Sequence, residues 1–210
     1  MALEGGRQVR TAIALLFVLG ASAVAQDMPL SQILPDGGTW RKSDAPTRTS
    51  AAGNYSTVKG EKAVYLKTDS GTKKFDVPLA EPTGLVIWEG GGTLVVADAG
   101  GKHLWAFRVA ADGSVADGDK YYALRVRKGV ERSEAGGMAI DPLGRLYAAT
   151  SEGVQVFDPT GRLCGVLLSP DRRPPTNVVL DGSTLYAMCG GTWYARDLKP
   201  DGLRPPTQKK

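Results

Sequence analysis

The chain of 210 residues contains few of the side chains that most often act as nucleophiles, bases or metal ligands: it has one histidine and two cysteines. A zinc site of the Cys/His type needs about four such ligands, so the sequence excludes one. A serine or cysteine nucleophile would depend on His103 alone for its base. Cys164 and Cys189 lie in strand-like segments and are interpreted as buried thiols, while a disulfide between them stays an open alternative.

The aspartates and glycine runs favour structural roles. Asp98, Asp141 and Asp158 follow strand ends, where a carboxylate accepts backbone N–H bonds in a turn. The run Gly90-Gly91-Gly92 lacks the Lys-Ser/Thr pair and the helix that a phosphate-binding loop requires. A formal net charge of +4, scattered along the chain, does not indicate nucleic-acid or membrane binding.

The N-terminus has the pattern of a secretory signal. Arg7 and Arg10 precede the apolar run Thr11 to Gly20, and Ala23-Val24-Ala25 supplies a small-x-small cleavage site. The run is shorter than the roughly 20 residues that a membrane span requires. We predict residues 1–25 as a signal peptide, an exported protein in the periplasm or outside the cell, and no membrane attachment after cleavage.

The rest of the chain repeats one unit of short strands and turns. Short apolar strands alternate with turns such as Asp112-Gly113 and Asp181-Gly182, in meanders that recur about every 40 to 50 residues. This pattern is typical of propeller blades, with a β-sandwich as the alternative. We predict an all-β, propeller-like fold of about four blades over residues 63–199. Residues 26–62 form an N-terminal segment, partly loop, and residues 200–210 a proline-rich basic tail.

Four phrases between Glu81 and Lys199 resemble the senescence-marker/gluconolactonase family, whose members include regucalcin and bacterial lactone hydrolases. They begin at Pro82-Thr83-Gly84, Leu104-Trp105-Ala106-Phe107, Gly136-Gly137-Met138 and Thr176-Asn177-Val178. The opening Pro29-Leu30-Ser31 is similar to exported bacterial members. The resemblance implies a shortened form of a six-bladed propeller. It also implies that Ser31 to Leu34 or Trp40-Arg41-Lys42 pairs into the last blade beside Trp193-Tyr194-Ala195.

The resemblance also implies a divalent cation (Ca²⁺, Zn²⁺ or Mg²⁺) in the central channel, held by a glutamate, an asparagine and an aspartate. Here the asparagine position is Thr83 and the aspartate position is Gly136, while no Glu-Gly-Pro phrase supplies the glutamate. Glu81 and Glu134 lie two residues from the vacated positions and are weak substitutes. A two-residue offset along a strand moves Cα by about 6 to 7 Å. Asn177 is a candidate for facing a ligand.

Three functional hypotheses follow. The first is an exported sugar-lactone hydrolase, a metal-dependent carboxylic ester hydrolase. The second is a non-catalytic binding or scaffold propeller, and the third is a truncated relic of the family. The lost ligands favour impaired or absent catalysis, since carboxylates provide most of the attraction for a hard cation. We expect a sugar lactone or another small molecule as partner, no nucleic acid, and an oligomer if the ring is open.

Overall fold

The computed structural model describes residues 28–48, 52–88 and 90–203, and these residues form fifteen β-strands and two 3₁₀ helices. The strands form four antiparallel sheets, named blades 1 to 4. Blade 1 contains β2 (Tyr55–Thr57), β3 (Ala63–Thr68) and β4 (Gly71–Asp76). Blade 2 contains β5 (Pro82–Ile87), β6 (Thr93–Asp98), β7 (His103–Val109) and β8 (Val115–Ala123). Blade 3 contains β9 (Met138–Ile140), β10 (Leu146–Thr150), β11 (Gly153–Phe157) and β12 (Leu163–Leu167). Blade 4 contains β13 (Pro175–Asp181), β14 (Thr184–Cys189), β15 (Thr192–Asp197) and, on its outer side, β1 (Arg41–Ser43). The predicted four-bladed, all-β fold is confirmed.

The outermost strand of blade 4 comes from the N-terminal segment. Strand β1 pairs antiparallel with β15, with Arg41 opposite Ala195 and Ser43 opposite Trp193. The Arg41 guanidinium also donates two hydrogen bonds, of 2.8 and 3.0 Å, to the carboxylate of Asp197. The predicted closing segment is therefore confirmed at residues 41–43. The alternative segment near Ser31 forms a 3₁₀ helix instead, Leu30–Gln32.

Blade 1 differs from the other three blades in the direction of its innermost strand. Strands β5, β9 and β13 begin at the end of the molecule where Thr83, Gly136 and Thr176 line one cavity. Strand β2 reaches that cavity with its last residue, Thr57, and so runs in the opposite direction. Since strand direction alternates across an antiparallel sheet, β2 corresponds to the second strand of the other blades. Within the described ranges, blade 1 has no strand equivalent to β5.

Apolar side chains fill the three interfaces between successive blades. Representative buried residues are Val64 and Phe107 between blades 1 and 2, Tyr122 and Met138 between blades 2 and 3, and Val154 and Val178 between blades 3 and 4. A blade is apolar on both faces, so each one is stabilised by its neighbours. Among the described residues no such cluster joins blade 4 to blade 1.

Aspartates fix the turns between strands, as predicted. Asp98 accepts hydrogen bonds from the backbone N–H groups of Ala80, Glu81 and Gly100. Asp158 likewise accepts from the N–H groups and side chains of Thr160 and Arg162. A carboxylate that satisfies several orphan N–H groups at a strand end holds the geometry of the connection.

A buried arginine joins both ends of the described chain to blade 3. The Arg145 side chain is 1% exposed and donates to Asp141 Oδ2 at 3.1 Å, to the Gly202 carbonyl at 2.8 Å and to Gln32 Oε1 at 2.9 Å. Tyr147 donates its hydroxyl to the same Asp141 oxygen at 3.0 Å. We name this group of five residues the terminal clamp. It anchors the N-terminal 3₁₀ helix and the C-terminal one, Pro200–Leu203.

The two cysteines form no disulfide among the described residues. Cys189 is buried, as predicted, whereas Cys164 is half-buried and the prediction of a buried thiol is wrong there. The predicted signal peptide and residues 204–210 of the predicted tail lie outside the described residues. Within the described ranges, no helix is long and apolar enough to cross a bilayer.

Candidate active site

A cavity of about 610 Å³ lies where strands β5, β9 and β13 begin. We call it the inner cavity. Its charged lining residues are Lys59, Glu81, Arg132 and Glu134, and its small lining residues include Thr57, Thr83, Gly84, Gly136, Gly137 and Thr176. The structure therefore brings Glu81, Thr83, Glu134 and Gly136 together in one cavity. A volume of this size suits a small molecule.

The Thr83 hydroxyl is hydrogen-bonded to the backbone. It donates to the Ala135 carbonyl at 2.6 Å, and its distance to the Ala97 carbonyl is 3.3 Å. The first bond ties the inner strand of blade 2 to the segment that precedes β9. A neutral hydroxyl already used in this way offers a divalent cation far less than a carboxylate would.

No side chain fits at Gly136. A Cβ built there would lie 2.2 Å from the Thr176 carbonyl oxygen, and one built at Gly84 would lie 2.0 Å from the Gly136 carbonyl oxygen. Both obstacles are backbone atoms, so no side-chain rotation relieves them. The backbones of three successive inner segments therefore lie too close together for the aspartate that the family resemblance implies at Gly136.

Glu81 and Glu134 both line the inner cavity, but their surroundings differ. An Arg132 guanidinium nitrogen lies 2.5 Å from Glu81 Oε2, which neutralises that carboxylate. Glu134 has a positive φ of 51°, and its backbone N–H donates to the Ala99 carbonyl at 3.1 Å. Its carboxylate forms no ion pair or side-chain hydrogen bond within the described part of the chain.

Asn177 lies beside the inner cavity and is not one of its lining residues. Its amide packs over Gly137, where an added Cβ would lie 1.7 Å from Asn177 Oδ1. The side chain is half-buried. Gly137 therefore makes room for the Asn177 amide at the edge of the cavity, and a ligand-facing role for Asn177 stays a prediction.

Sequence reasoning missed Arg132. This residue stands in the polar segment between β8 and β9, where no periodic pattern marks one side chain above another. Its pairing with Glu81 joins residues 51 positions apart in the sequence. Only the packing of blade 2 against blade 3 brings the two groups together.

The residues of the inner cavity do not fit a hard divalent cation. Such an ion takes six or more oxygen ligands, with carboxylates supplying most of the attraction. Here the Glu81 carboxylate is paired with Arg132, and the Thr83 hydroxyl donates to a backbone carbonyl. Gly136 offers no side chain. Among the described residues, no group of three or more His, Cys, Asp or Glu side chains is placed to hold a metal ion.

His103 is not among the residues that line the inner cavity. It begins β7, the third strand of blade 2, and is half-buried. Burial lowers the pKa of the His103 imidazole, and the positive charges of Lys120 and Lys102 lower it further. The neutral imidazole is therefore favoured, and its position in the blade indicates a structural role.

Comparisons with known proteins place the chain in a family. The model of the SMP-30/gluconolactonase/LRE-like region matches residues 33–189. Among curated protein sequences no match was found.

Solved structures share the fold. A gluconolactonase from Xanthomonas campestris is 25% identical, with a TM-score of 0.55, and the match covers 67% of this chain and 46% of that one. A calcium-binding regucalcin from Agrobacterium tumefaciens is 16% identical, with a TM-score of 0.56, and coverages of 80% and 60%. Virginiamycin B lyase from Staphylococcus aureus is 14% identical, with a TM-score of 0.53, and coverages of 78% and 57%. The chain thus spans about half the length of these structures.

Proposed function

The chain belongs to the SMP-30/gluconolactonase/LRE-like family, and we propose that it is an exported, gluconolactonase-like propeller protein without metal-dependent catalysis. In this proposal it binds a small polyhydroxylated molecule, such as a sugar lactone, and does not hydrolyse it. The observation that carries the proposal is the backbone contact at Gly136, where a Cβ would lie 2.2 Å from the Thr176 carbonyl oxygen. A fold shared with hydrolases does not by itself transfer their chemistry.

Metal-dependent hydrolysis needs an ion that polarises the carbonyl and makes hydroxide available from bound water. In the inner cavity, the positive charges are the Lys59 ammonium and the Arg132 guanidinium, the latter paired with Glu81 at 2.5 Å. A guanidinium donates hydrogen bonds to a ligand oxygen but does not acidify a bound water as a divalent ion does. Binding without turnover is the function that such a cavity supports.

Lactone hydrolysis tests the proposal directly. The protein lacking residues 1–25 is mixed with glucono-δ-lactone and millimolar Ca²⁺, Zn²⁺ or Mg²⁺, and acid release is measured against the spontaneous rate. We expect no rate above that background. Hydrolysis that EDTA abolishes and added metal restores would overturn the proposal.

Metal binding provides a second measurement that does not depend on choosing the right substrate. A ligand that binds only the folded state raises the melting temperature by mass action. We expect no rise with millimolar metal, and none in Thr83→Asn. A metal-dependent rise in the unaltered protein would show a cation site that the proposal denies.

Export is tested separately. If residues 1–25 act as a signal peptide, the protein in the periplasmic or extracellular fraction begins at Gln26. N-terminal sequencing of the secreted chain checks this. Retention of an intact N-terminus in the cytoplasm would contradict the export part of the proposal and leave the binding part unaffected.

A further inference from the structure

A second cavity of about 750 Å³ adjoins the inner cavity. We call it the outer cavity. Three connections line it: residues 127–134 after β8, the turn Ser151–Glu152 between β10 and β11, and residues 168–174 between β12 and β13. It shares Arg132 and Glu134 with the inner cavity, so Glu134 stands where the two cavities meet.

Most charges of the outer cavity are neutralised by ion pairs. These pairs are Arg127–Glu152 at 3.1 Å, Glu131–Lys102 at 2.7 Å, Arg132–Glu81 at 2.5 Å and Asp171–Arg173 at 3.5 Å. Two lining charges, Glu134 and Arg172, form no ion pair or side-chain hydrogen bond within the described ranges. The outer cavity therefore presents one free carboxylate and one free guanidinium.

Ser151 lines the same cavity, and its hydroxyl is buried behind the cavity surface. Ser151 Oγ is shielded from solvent and has no hydrogen-bond partner among the described residues. An unsatisfied buried hydroxyl is unfavourable to the folded state. The Ser151 backbone N–H donates to the Ser133 carbonyl at 3.0 Å, and Glu134 follows Ser133 directly. Ser151 and Glu134 therefore lie in the same wall of the outer cavity.

The backbone of Glu134 is held in an unfavourable conformation. A φ of 51° lies in the left-handed region, which is costly for a residue with a Cβ. The neighbouring Ser133 fixes it, since the Ser133 N–H donates to the Gly101 carbonyl and its hydroxyl to the Asp98 carbonyl, both at 3.0 Å. Strained residues of this kind cluster at binding and active sites, although Asp117 has the same φ in an exposed ion pair with Arg108.

The outer cavity also has an apolar side. Leu168 is 74% exposed and Val130 is 37% exposed, and both line the cavity together with Pro174. These exposed apolar side chains gain stability if an apolar group covers them. The free charges and this apolar side surround one space.

We propose that the outer cavity binds a small zwitterion with an apolar body, namely an amino acid or short peptide with aliphatic side chains. Glu134 accepts hydrogen bonds from its ammonium group, Arg172 binds its carboxylate, and Val130 and Leu168 contact its side chains. This inference does not depend on the proposed function, because it concerns residues that need neither a metal nor a lactone.

Isothermal titration calorimetry with leucyl-leucine tests the proposal. We expect saturable binding at concentrations up to about 10 mM, which corresponds to a favourable free energy of a few kcal/mol. Acetylation of the peptide's amino group removes the charge that Glu134 recognises, and amidation of its carboxyl group removes the charge that Arg172 recognises. Each modification is expected to weaken binding about tenfold or more, the effect of losing one charge-assisted hydrogen bond.

Matched variants connect the effect to these residues. Glu134→Gln is expected to weaken leucyl-leucine binding about tenfold while leaving the weak binding of the N-acetylated peptide unchanged, and Arg172→Gln should act likewise with the amidated peptide. Glu131→Gln is the control, because this carboxylate lines the same cavity but is already paired with Lys102. The proposal is wrong if leucyl-leucine does not bind, or if Glu134→Gln and Glu131→Gln have equal effects. Thermal unfolding of each variant verifies that it is folded.

Discussion

The inner cavity and the terminal clamp both contain an arginine beside a carboxylate, but they use the pair in opposite ways. In the clamp, Arg145 is 1% exposed and the Asp141 side chain is fully buried. Arg145 also donates to Gly202 and Gln32 in other segments, and Asp141 also accepts from the Tyr147 hydroxyl in the same blade. At the inner cavity, the side chains of Arg132 and Glu81 are 57% and 36% exposed. A buried pair that is broken leaves an uncompensated charge, whereas water compensates an exposed one.

This difference separates the part of the molecule that maintains the fold from the part available to ligands. The clamp joins blade 3 to both ends of the described chain, far along the sequence in each direction. The exposed pair connects loops whose groups can exchange partners with a bound molecule. Charge alone therefore does not mark a functional site, and the degree of burial of each pair decides its role.

The largest effect is expected from breaking the clamp. Arg145→Met leaves the Asp141 carboxylate buried without its partner, and we expect the free energy of unfolding to fall by about 3 to 5 kcal/mol. Urea denaturation measures this change. The double variant Arg145→Met with Asp141→Asn should recover part of the loss, since no charge then stays buried and the amide oxygen can still accept from the N–H groups of Leu143 and Arg145. A loss below about 1 kcal/mol in the single variant would remove the distinction between the two pairs.

The second effect concerns the close backbones at the inner cavity. Gly136→Ala places a methyl group against the Thr176 carbonyl oxygen, 2.2 Å from the ideal Cβ position, and we expect a loss of about 1 to 3 kcal/mol. Gly92→Ala is the control, because nothing lies within 4 Å of its added Cβ and its φ is not positive. Equal stability of the two variants would show that the inner strands separate easily.

The adjacent glycine should tolerate alanine better. At Gly137 the nearest obstacle is Asn177 Oδ1, at 1.7 Å, and a side chain can rotate where a backbone carbonyl cannot. We expect Gly137→Ala to cost less than Gly136→Ala, and Asn177→Ala to restore most of the loss in the double variant. Failure of this rescue would mean that the Asn177 backbone, and not its amide, limits the space.

The sequence predicted the local structure of blades 2 to 4 well, because hairpin strands and Asp-Gly or Pro-x-Gly turns are neighbours in the chain. The aspartate turns follow from the same short-range patterns, whereas the closing strand was implied by the family resemblance, which left Ser31 to Leu34 and Trp40-Arg41-Lys42 as alternatives. Two features could not be predicted: the contact of Gly136 with Thr176 and the pairing of Arg132 with Glu81. Both depend on the distance between segments of different blades, which no pattern within one blade encodes.

A smaller effect is expected at Asp158, whose carboxylate differs from those of Asp141 and Glu81. Lowering the pH protonates it and so tests its contribution to stability. Burial alone would raise the pKa of Asp158, but hydrogen bonds from Thr160 and Arg162 outweigh it and lower the pKa below its ordinary value. A carboxyl whose pKa is lower in the folded state stabilises the fold above its unfolded pKa, and this stability is lost as the pH falls through the folded pKa. We expect Asp158→Asn to be less stable than the unaltered protein at pH 7, and the difference in the free energy of unfolding to shrink as the pH falls below about 3.9, the ordinary pKa of an aspartate. A constant difference at both pH values would contradict this linkage.

The smallest stability change is expected at the inner cavity itself. Arg132→Gln removes an ion pair whose two side chains are partly exposed to water, so the free energy of unfolding should change by less than about 1 kcal/mol, against several for Arg145→Met. Because Arg132 contributes positive charge to the inner cavity, the same variant should bind an anionic sugar acid such as gluconate more weakly, as equilibrium dialysis can measure. A change in binding without a change in stability separates the ligand-accessible pair from the structural one. A large loss of stability in Arg132→Gln would instead assign the inner pair to the fold, since only a desolvated charge is so costly to leave unpaired.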